Sequence, residues 1–122
     1  MISIVDDDES VREATKGLLE ARGYSAEAFS GAEEFLRSIH LEDTRCLITD
    51  VRMPGLNGIE LQRHLLDIGR RIPVIFMTAR QDERTRLTAL QAGACGFLSK
   101  PFSEESLMQC LVRALCPAAG SA

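Results

Sequence analysis

Three carboxylates, a hydroxyl and an amine stand at positions from which they could act together. Asp6 and Asp7 follow the first apolar run of the chain, and Asp50 follows the third. Two ionised carboxylates about 4 Å apart repel by roughly 4 kcal/mol at an effective dielectric of about 20, so gathered acids need a cation or must take up protons. Mg²⁺ suits that role because it prefers oxygen ligands and is often shared between carboxylates and phosphate oxygens. The acids therefore indicate a magnesium site that faces a phosphate group.

Thr78 and Lys100, which come after the fourth and fifth apolar runs, extend this site to phosphoryl transfer. A carboxylate can be the nucleophile that forms an aspartyl phosphate, and the transfer depends mainly on positioning and on neutralising three equatorial oxygens. The metal, Lys100 and Thr78 could each contact one of those oxygens. Ala79 is small enough to leave the nucleophile accessible. Each residue alone is more often a cap, a packed strand end or a solvated lysine, but five such residues at the ends of four strands favour the functional interpretation.

Such a site requires strands whose carboxyl ends meet, and five apolar runs supply them. The runs recur about every 20 to 28 residues, which favours parallel pairing through helical crossovers. We predict an α/β fold, a flavodoxin-like (βα)5 three-layer sandwich with a five-stranded parallel sheet of order 2-1-3-4-5. Ligands bind beyond the carboxyl ends of such strands, between strands one and three. The predicted strands are Met1–Val5, Tyr24–Phe29, Arg45–Thr49, Pro73–Met77 and Cys95–Leu98.

Capping residues predict where the five helices begin and end. In the first helix, Val11, Ala14 and Leu18 form the predicted apolar stripe. The predicted boundaries are Asp8 and Gly23 for the first helix, a Ser30–Glu33 capping box for the second, an Asn57–Glu60 capping box for the third, Asp82 and Gly93 for the fourth, and Ser103 with Glu104 and Glu105 for the start of the fifth.

Composition favours a cytoplasmic globular domain. At 122 residues, with 45% hydrophobic and 26% charged residues, the chain has room for one domain with its own core. We find no run of the roughly 20 apolar residues that cross a bilayer, and no signal-peptide pattern after Met1. The net charge of -4 disfavours non-specific binding to nucleic acid. We expect reduced thiols, because metal-ligand spacing is lacking among Cys46, Cys95, Cys110 and Cys116.

Four motifs carry a family resemblance. They are residues 4–7 (IVDD), 49–58 (TDVRMPGLNG), 73–79 (PVIFMTA) and 92–102 (AGACGFLSKPF). With these motifs the chain resembles, from Met1 to about Leu115, the receiver domain of bacterial two-component response regulators, and among them the FixJ-like regulators. We therefore assign residues 1–116 to a receiver domain and residues 117–122 to a tail or the start of a linker to an output domain.

The resemblance implies a role for each candidate residue. Asp50 would be the phosphoacceptor. Asp6, Asp7, Asp50 and the backbone carbonyl of Arg52 would hold Mg²⁺, with Mn²⁺ able to substitute. The protein would then be no enzyme in the ordinary sense, since it would catalyse only its own phosphoryl transfer and dephosphorylation.

The resemblance also implies how the signal leaves the site. Thr78 and Lys100 would bind the phosphoryl group, and Phe97 would turn inward as Thr78 moves, which remodels the face of helix 4, strand 5 and helix 5. A static core aromatic is the alternative for Phe97. A cis peptide before Pro101 would aim Lys100 inward.

Three further residues flank the acceptor in this family. Ala79, Arg52 and Arg80 would modulate dephosphorylation, and we hypothesise that the two arginines restrict the attacking water or bind the anion. Solvated loop arginines are the alternative.

The expected partner is a histidine kinase or phosphotransfer protein in the cytoplasm. A phosphorylated homodimer would form through the helix 4, strand 5, helix 5 face. DNA would be contacted only through an output domain outside this chain, so regulation of transcription would depend on that domain, and no membrane contact is expected.

Three other classes remain as alternatives. A phosphatase of the haloacid dehalogenase type would need a second acid for proton transfer two residues after Asp50, but Arg52 occupies that position. A flavodoxin-like redox module would want a phosphate-binding loop after the first strand, where Asp6 and Asp7 would repel the phosphate. A receiver-like protein-binding module that is not phosphorylated is the closest alternative, and uptake of a phosphoryl group separates it from the switch.

Overall fold

The computed structural model describes residues 1–53, 55–78, 83–91 and 93–115, with the backbone alone at position 85. One sheet of five parallel strands runs through this part of the chain, in the predicted order 2-1-3-4-5. Helices follow the strands in alternation, so the predicted fold class is confirmed. The strands are β1 (Ile2–Val5), β2 (Ala26–Phe29), β3 (Cys46–Asp50), β4 (Val74–Thr78) and β5 (Gly96–Ser99), and the helices are α1 (Glu9–Ala21), α2 (Ala32–Leu36), α3 (Gly58–Asp67), α4 (Glu83–Gln91) and α5 (Glu104–Leu115), with a 3-10 turn at Ile39–Leu41.

Two apolar clusters cover the two faces of the sheet, because successive side chains of a strand point to opposite faces. One cluster takes Ile4 from β1 and packs it against Leu19 of α1 and Leu111 of α5. The other takes Val5, the next residue of the same strand, and packs it with Leu61 of α3. Both faces of the sheet are therefore covered. The polar residues at the strand ends lie at the edge of the sheet where the helices begin.

Local side-chain bonds define several helix starts as predicted. Asp8 accepts hydrogen bonds from Ser10 N and Val11 N at the start of α1. Asn57 and Glu60 form a reciprocal capping box at the start of α3. At the start of α5, Ser103 Oγ accepts from Ser106 N. Gly23 and Gly93 take positive φ values of 89° and 95° where α1 and α4 end, as a C-terminal glycine does.

The capping box predicted at Ser30 and Glu33 is wrong. The N-cap of α2 is Gly31, and it makes no side-chain capping bond. Ser30 instead donates its N–H and its hydroxyl to the carboxylate of Glu34, at 3.1 and 3.2 Å. The acid that reaches back is thus one residue later than predicted, because the helix itself begins one residue later.

Three cysteines make no disulfide: Cys46 is buried, Cys110 is partly buried and Cys95 is exposed. Cys116 and Asp82, two of the residues named from sequence, lie outside the described residues. Within the described ranges, we find no helix with the length and apolar character needed to span a bilayer.

Candidate functional site

The ends of β1 and β3 bring three acids together. Val5 pairs with Thr49 in the register of the two strands, so Asp6 and Asp50 leave the sheet side by side. Carboxylate oxygens of Asp6, Asp7 and Asp50 all lie within 4.8 Å of one another. Asp6 is 0% exposed and Asp50 is 7% exposed, whereas Asp7 is exposed. Two of the acids are therefore held away from water, where an unbalanced charge is costly.

Lys100 balances part of that charge. Its Nζ lies 2.6 Å from Asp6 Oδ2 and 2.9 Å from Asp50 Oδ2, so one ammonium bridges the two buried carboxylates. Lys100 follows β5, and the peptide bond to Pro101 is cis, the isomer that the resemblance implied. Two strands that do not pair with each other in the sheet, β1 and β5, are thus joined at this edge.

The remaining carboxylate oxygens accept main-chain hydrogen bonds. Asp8 N donates to Asp6 Oδ1 at 2.9 Å, and Arg52 N donates to Asp50 Oδ1 at 3.2 Å. Each buried acid therefore has one oxygen fixed by its own loop and the other by Lys100. Both carboxylates are oriented before any ligand arrives, as a preorganised site requires.

Burial is the largest single influence on the pKa values of Asp50 and Lys100. Burial raises the pKa of Asp50, and the hydrogen bond and charge of Lys100 only partly oppose that shift. For Lys100, burial favours the neutral amine, but the bonds to Asp6 and Asp50 outweigh it and the pKa is raised. The lysine is therefore a fixed cation, and Asp50 is a carboxylate whose ionised form needs more positive charge than Lys100 provides.

A divalent cation fits that need. Three carboxylates against one ammonium leave two negative charges unbalanced within the cluster. The donors are all oxygens, the ligands preferred by Mg²⁺, which is usually held by one or two carboxylates together with waters and phosphate oxygens. The chemistry of the donor set thus fits a magnesium ion, with Asp6, Asp7 and Asp50 as the residues that could hold it.

The other residues named from sequence lie around this cluster or outside the described part. Thr78 ends β4 beside Asp50 and is 2% exposed. Phe97 lies in β5 and packs, partly buried, against the apolar cluster that includes Leu61. The Arg52 side chain is exposed and lines a cavity of about 380 Å³ together with Arg84 and other residues. Ala79 and Arg80 lie outside the described residues.

Two residues that the sequence interpretation gave no role contact the acids directly. A Cβ built on Gly58 would lie 2.3 Å from the main-chain oxygen of Asp50, so only glycine fits there. Arg12 Nη1 donates to the main-chain oxygen of Asp6 at 2.9 Å. A signal for Arg12 existed, because side chains of a helix lean toward its N-terminus and an arginine in the first turns of α1 can reach back to the strand end.

This geometry defines a class of protein: a parallel α/β domain with an acidic cluster at the carboxyl ends of β1 and β3, where the strand order of the sheet reverses. Residues 2–112 match the family model described as the response regulator receiver domain. The chain belongs to this family, the receiver domains of two-component response regulators.

Relatives and solved structures agree with that assignment. The chain is 42% identical over 115 residues to the response regulator protein TodT of Pseudomonas putida, covering 94% of this chain and 51% of that protein. It is 37% identical to the transcriptional regulatory protein FixJ of Azorhizobium caulinodans, covering 88% and 51%. The crystal structure of FixJ-N superposes with a TM-score of 0.84 at 36% identity, covering 93% of this chain and 91% of that one. The chain spans about half the length of the curated relatives it matches.

Proposed function

We propose that this chain is a phosphorylation-activated switch in which Asp50 accepts a phosphoryl group from a histidine kinase or phosphotransfer protein, with Mg²⁺ bound. The observation that carries the proposal is the bridge from Lys100 Nζ to Asp6 and Asp50, at 2.6 and 2.9 Å. It sets a fixed cation beside a buried, oriented carboxylate at the edge of the sheet where the strands end, which is where ligands bind in sheets of this kind.

The metal would be held by the carboxylates of Asp6, Asp7 and Asp50 and by the main-chain carbonyl of Arg52. When bound, Mg²⁺ supplies positive charge to the oxygens of the phosphoryl group, and Mn²⁺ can take its place. The hydrogen bond from Arg52 N to Asp50 Oδ1 supports this assignment, because it brings the main chain of Arg52 next to the acceptor.

In the transfer, a carboxylate oxygen of Asp50 forms a bond to phosphorus as the bond from phosphorus to the donor's leaving group breaks. The Lys100 ammonium is already in contact with Asp50 and stabilises one oxygen of the transferred group. The Thr78 hydroxyl donates to another. Attack of water on phosphorus then breaks the bond from phosphorus to the Asp50 oxygen, releases inorganic phosphate and restores the carboxylate, so the chain hydrolyses only its own acyl phosphate. Ala79, Arg52 and Arg80 would set the speed of that hydrolysis.

The signal would leave through Thr78 and Phe97. Movement of Thr78 toward the phosphoryl group lets Phe97 turn inward from its partly buried position in β5, which alters the face of α4, β5 and α5. That face would form a homodimer. Light scattering that finds a monomer both before and after stable activation would contradict the dimer for this domain.

Residues 1–116 would form the receiver domain and residues 117–122 a tail or the start of a linker. The relatives that are about twice as long include a protein named as a transcriptional regulator, which supports an output domain that binds DNA and regulates transcription. The proposed location is the cytoplasm, where the kinase partner would act.

Intact mass after incubation with Mg²⁺ and acetyl phosphate tests the proposal. We expect a gain of one phosphoryl group in the wild type and none in Asp50→Asn or after addition of a chelator. Asp67→Asn is the matched control, because Asp67 is an exposed acid at the far end of α3. A folded wild-type protein that gains no mass would overturn the switch and favour a protein-binding module that works without phosphorylation.

A further inference from the structure

A half-buried arginine of α1 holds the loop that carries two of the acids. Arg12 Nη1 donates to the main-chain oxygen of Asp6 at 2.9 Å. The N–H of Arg12 donates to Asp8 O at 3.0 Å, and the Asp8 side chain caps the same helix. The arginine therefore spans from the first turn of α1 back to the end of β1 and closes the turn between them.

Three hydrogen bonds fix Asp6 apart from its contact with Lys100. Its N–H donates to Phe29 O at 3.1 Å, its Oδ1 accepts from Asp8 N at 2.9 Å, and its carbonyl oxygen accepts from Arg12. Of these three, the bond from Arg12 alone uses the side chain of another residue. A substitution can therefore remove it and leave the two main-chain donors in place.

The contact is to the main chain and not to a carboxylate. In the described part of the chain, the salt bridge of Asp6 is made by Lys100 and not by Arg12. The guanidinium nevertheless brings a positive charge close to the acids, and that charge repels a divalent cation. Its two effects on the metal thus have opposite signs: the hydrogen bond orients the ligands and favours binding, and the charge disfavours it.

We propose that Arg12 is a positioning residue that raises the Mg²⁺ affinity of the site by fixing the main chain from Asp6 to Asp8. The inference rests on the proposed function, since it concerns the same metal site. Groups that hydrogen-bond to metal ligands without touching the metal themselves typically lower the metal affinity by about 10- to 100-fold when they are removed. Here the orienting bond outweighs the repulsion between the guanidinium and the ion.

Mg²⁺ alone, titrated into the unphosphorylated protein, tests this inference. The amide resonance of Asp8 is the reporter in NMR spectra, because that N–H donates to Asp6 Oδ1. We expect Arg12→Met to bind Mg²⁺ about tenfold more weakly than the wild type, and Arg12→Lys, which keeps a donor and the charge, to recover part of the loss. Arg12→Ala also removes the guanidinium and all of its donors, and it gives the same reading if the methionine variant does not fold.

Lys16→Met is the matched control, since Lys16 lies one turn further along α1 and its loss removes a positive charge but leaves the bond from Arg12 to Asp6 in place. We expect its Mg²⁺ affinity to equal that of the wild type or to be slightly higher. Equal or tighter binding of Mg²⁺ by folded Arg12→Met or Arg12→Ala would overturn the inference, because the positive charge of Arg12 would then be its only effect on the metal. A wild-type protein that binds no Mg²⁺ would instead overturn the proposed function from which the inference starts.

Discussion

A methyl group added at Gly58 is expected to displace the proposed phosphoacceptor. A Cβ on Gly58 would lie 2.3 Å from Asp50 O and 3.2 Å from the Asp50 carbonyl carbon. Non-bonded heavy atoms pack favourably at about 3.5 Å, so the methyl group and the oxygen must separate by about 1 Å. Neither side moves freely, because Gly58 N donates to Val51 O at 3.0 Å and Asp50 ends a strand in the middle of the sheet.

Two magnitudes follow from that separation. Extra volume in a well-packed region lowers the free energy of unfolding by about 1–3 kcal/mol. Because the crowded carbonyl belongs to Asp50 itself, the carboxylate that we propose as the nucleophile moves with it, and a misplacement of about 1 Å lowers a rate by about 100-fold. We therefore expect Gly58→Ala to lose much more of its phosphorylation rate than of its stability.

The assay is the rate of mass gain with acetyl phosphate and Mg²⁺, measured beside urea unfolding of the same samples. Gly17→Ala is the control, because a Cβ there meets no heavy atom within 4 Å and Gly17 lies in α1. The control should gain about 0.4–1 kcal/mol of stability and keep the wild-type rate. A folded Gly58→Ala protein that is phosphorylated as fast as the wild type would refute the reasoning.

Three further predictions concern single residues. Asn57→Ala should lower the free energy of unfolding by about 1 kcal/mol, since it removes the capping box with Glu60; an unchanged urea midpoint would contradict this. Iodoacetamide should label exposed Cys95 in the native protein but Cys46 only after unfolding, because burial raises the pKa of the Cys46 thiol to about 12; peptide mass spectrometry decides. Burial raises the pKa of the Asp50 carboxyl above its value in the unfolded chain. The stability contributed by the protonated carboxyl is therefore fully present below the unfolded pKa and is lost as the pH rises through the folded pKa. Without Mg²⁺, Asp50→Asn should therefore have a higher Tm than the wild type at neutral pH, with a gap that shrinks in acid; an equal Tm at neutral pH would argue against it.

The order and type of the elements could be predicted because buried parallel strands are apolar on both faces. Local chemistry also located the caps at Asp8 and Asn57, whose side chains bond to the next turn of their own helix. The apolar stripe predicted for α1 was less accurate. The buried residues of that helix are Thr15 and Leu19, and a hydroxyl residue such as Thr15 is missed when only apolar side chains are counted.

The convergence of the acids and the lysine could be predicted because parallel strands end at one edge of a sheet. The contacts that orient them could not. Whether Arg12 reaches the carbonyl of Asp6 depends on the angle between α1 and β1, and the close approach of Gly58 to Asp50 depends on where α3 starts relative to β3. These are distances between elements, and residue type and spacing do not determine them.

The hydrogen bonds of Lys100 indicate how a phosphoryl group on Asp50 would change the structure outside the site. Its N–H donates to Thr78 O at 2.7 Å, and its ammonium holds Asp6 and Asp50 together. A phosphoryl group on Asp50 would compete with Asp6 for that ammonium, and the main chain of Lys100 would transmit any shift to the ends of β4 and β5. Moving a two-state equilibrium from 1:99 to 99:1 requires about 5.5 kcal/mol of differential binding, whereas one charged hydrogen bond contributes about 1.5–3 kcal/mol. Lys100 alone is therefore too weak to switch the domain, and we expect its contact, that of the Thr78 hydroxyl and that of the metal to be needed together.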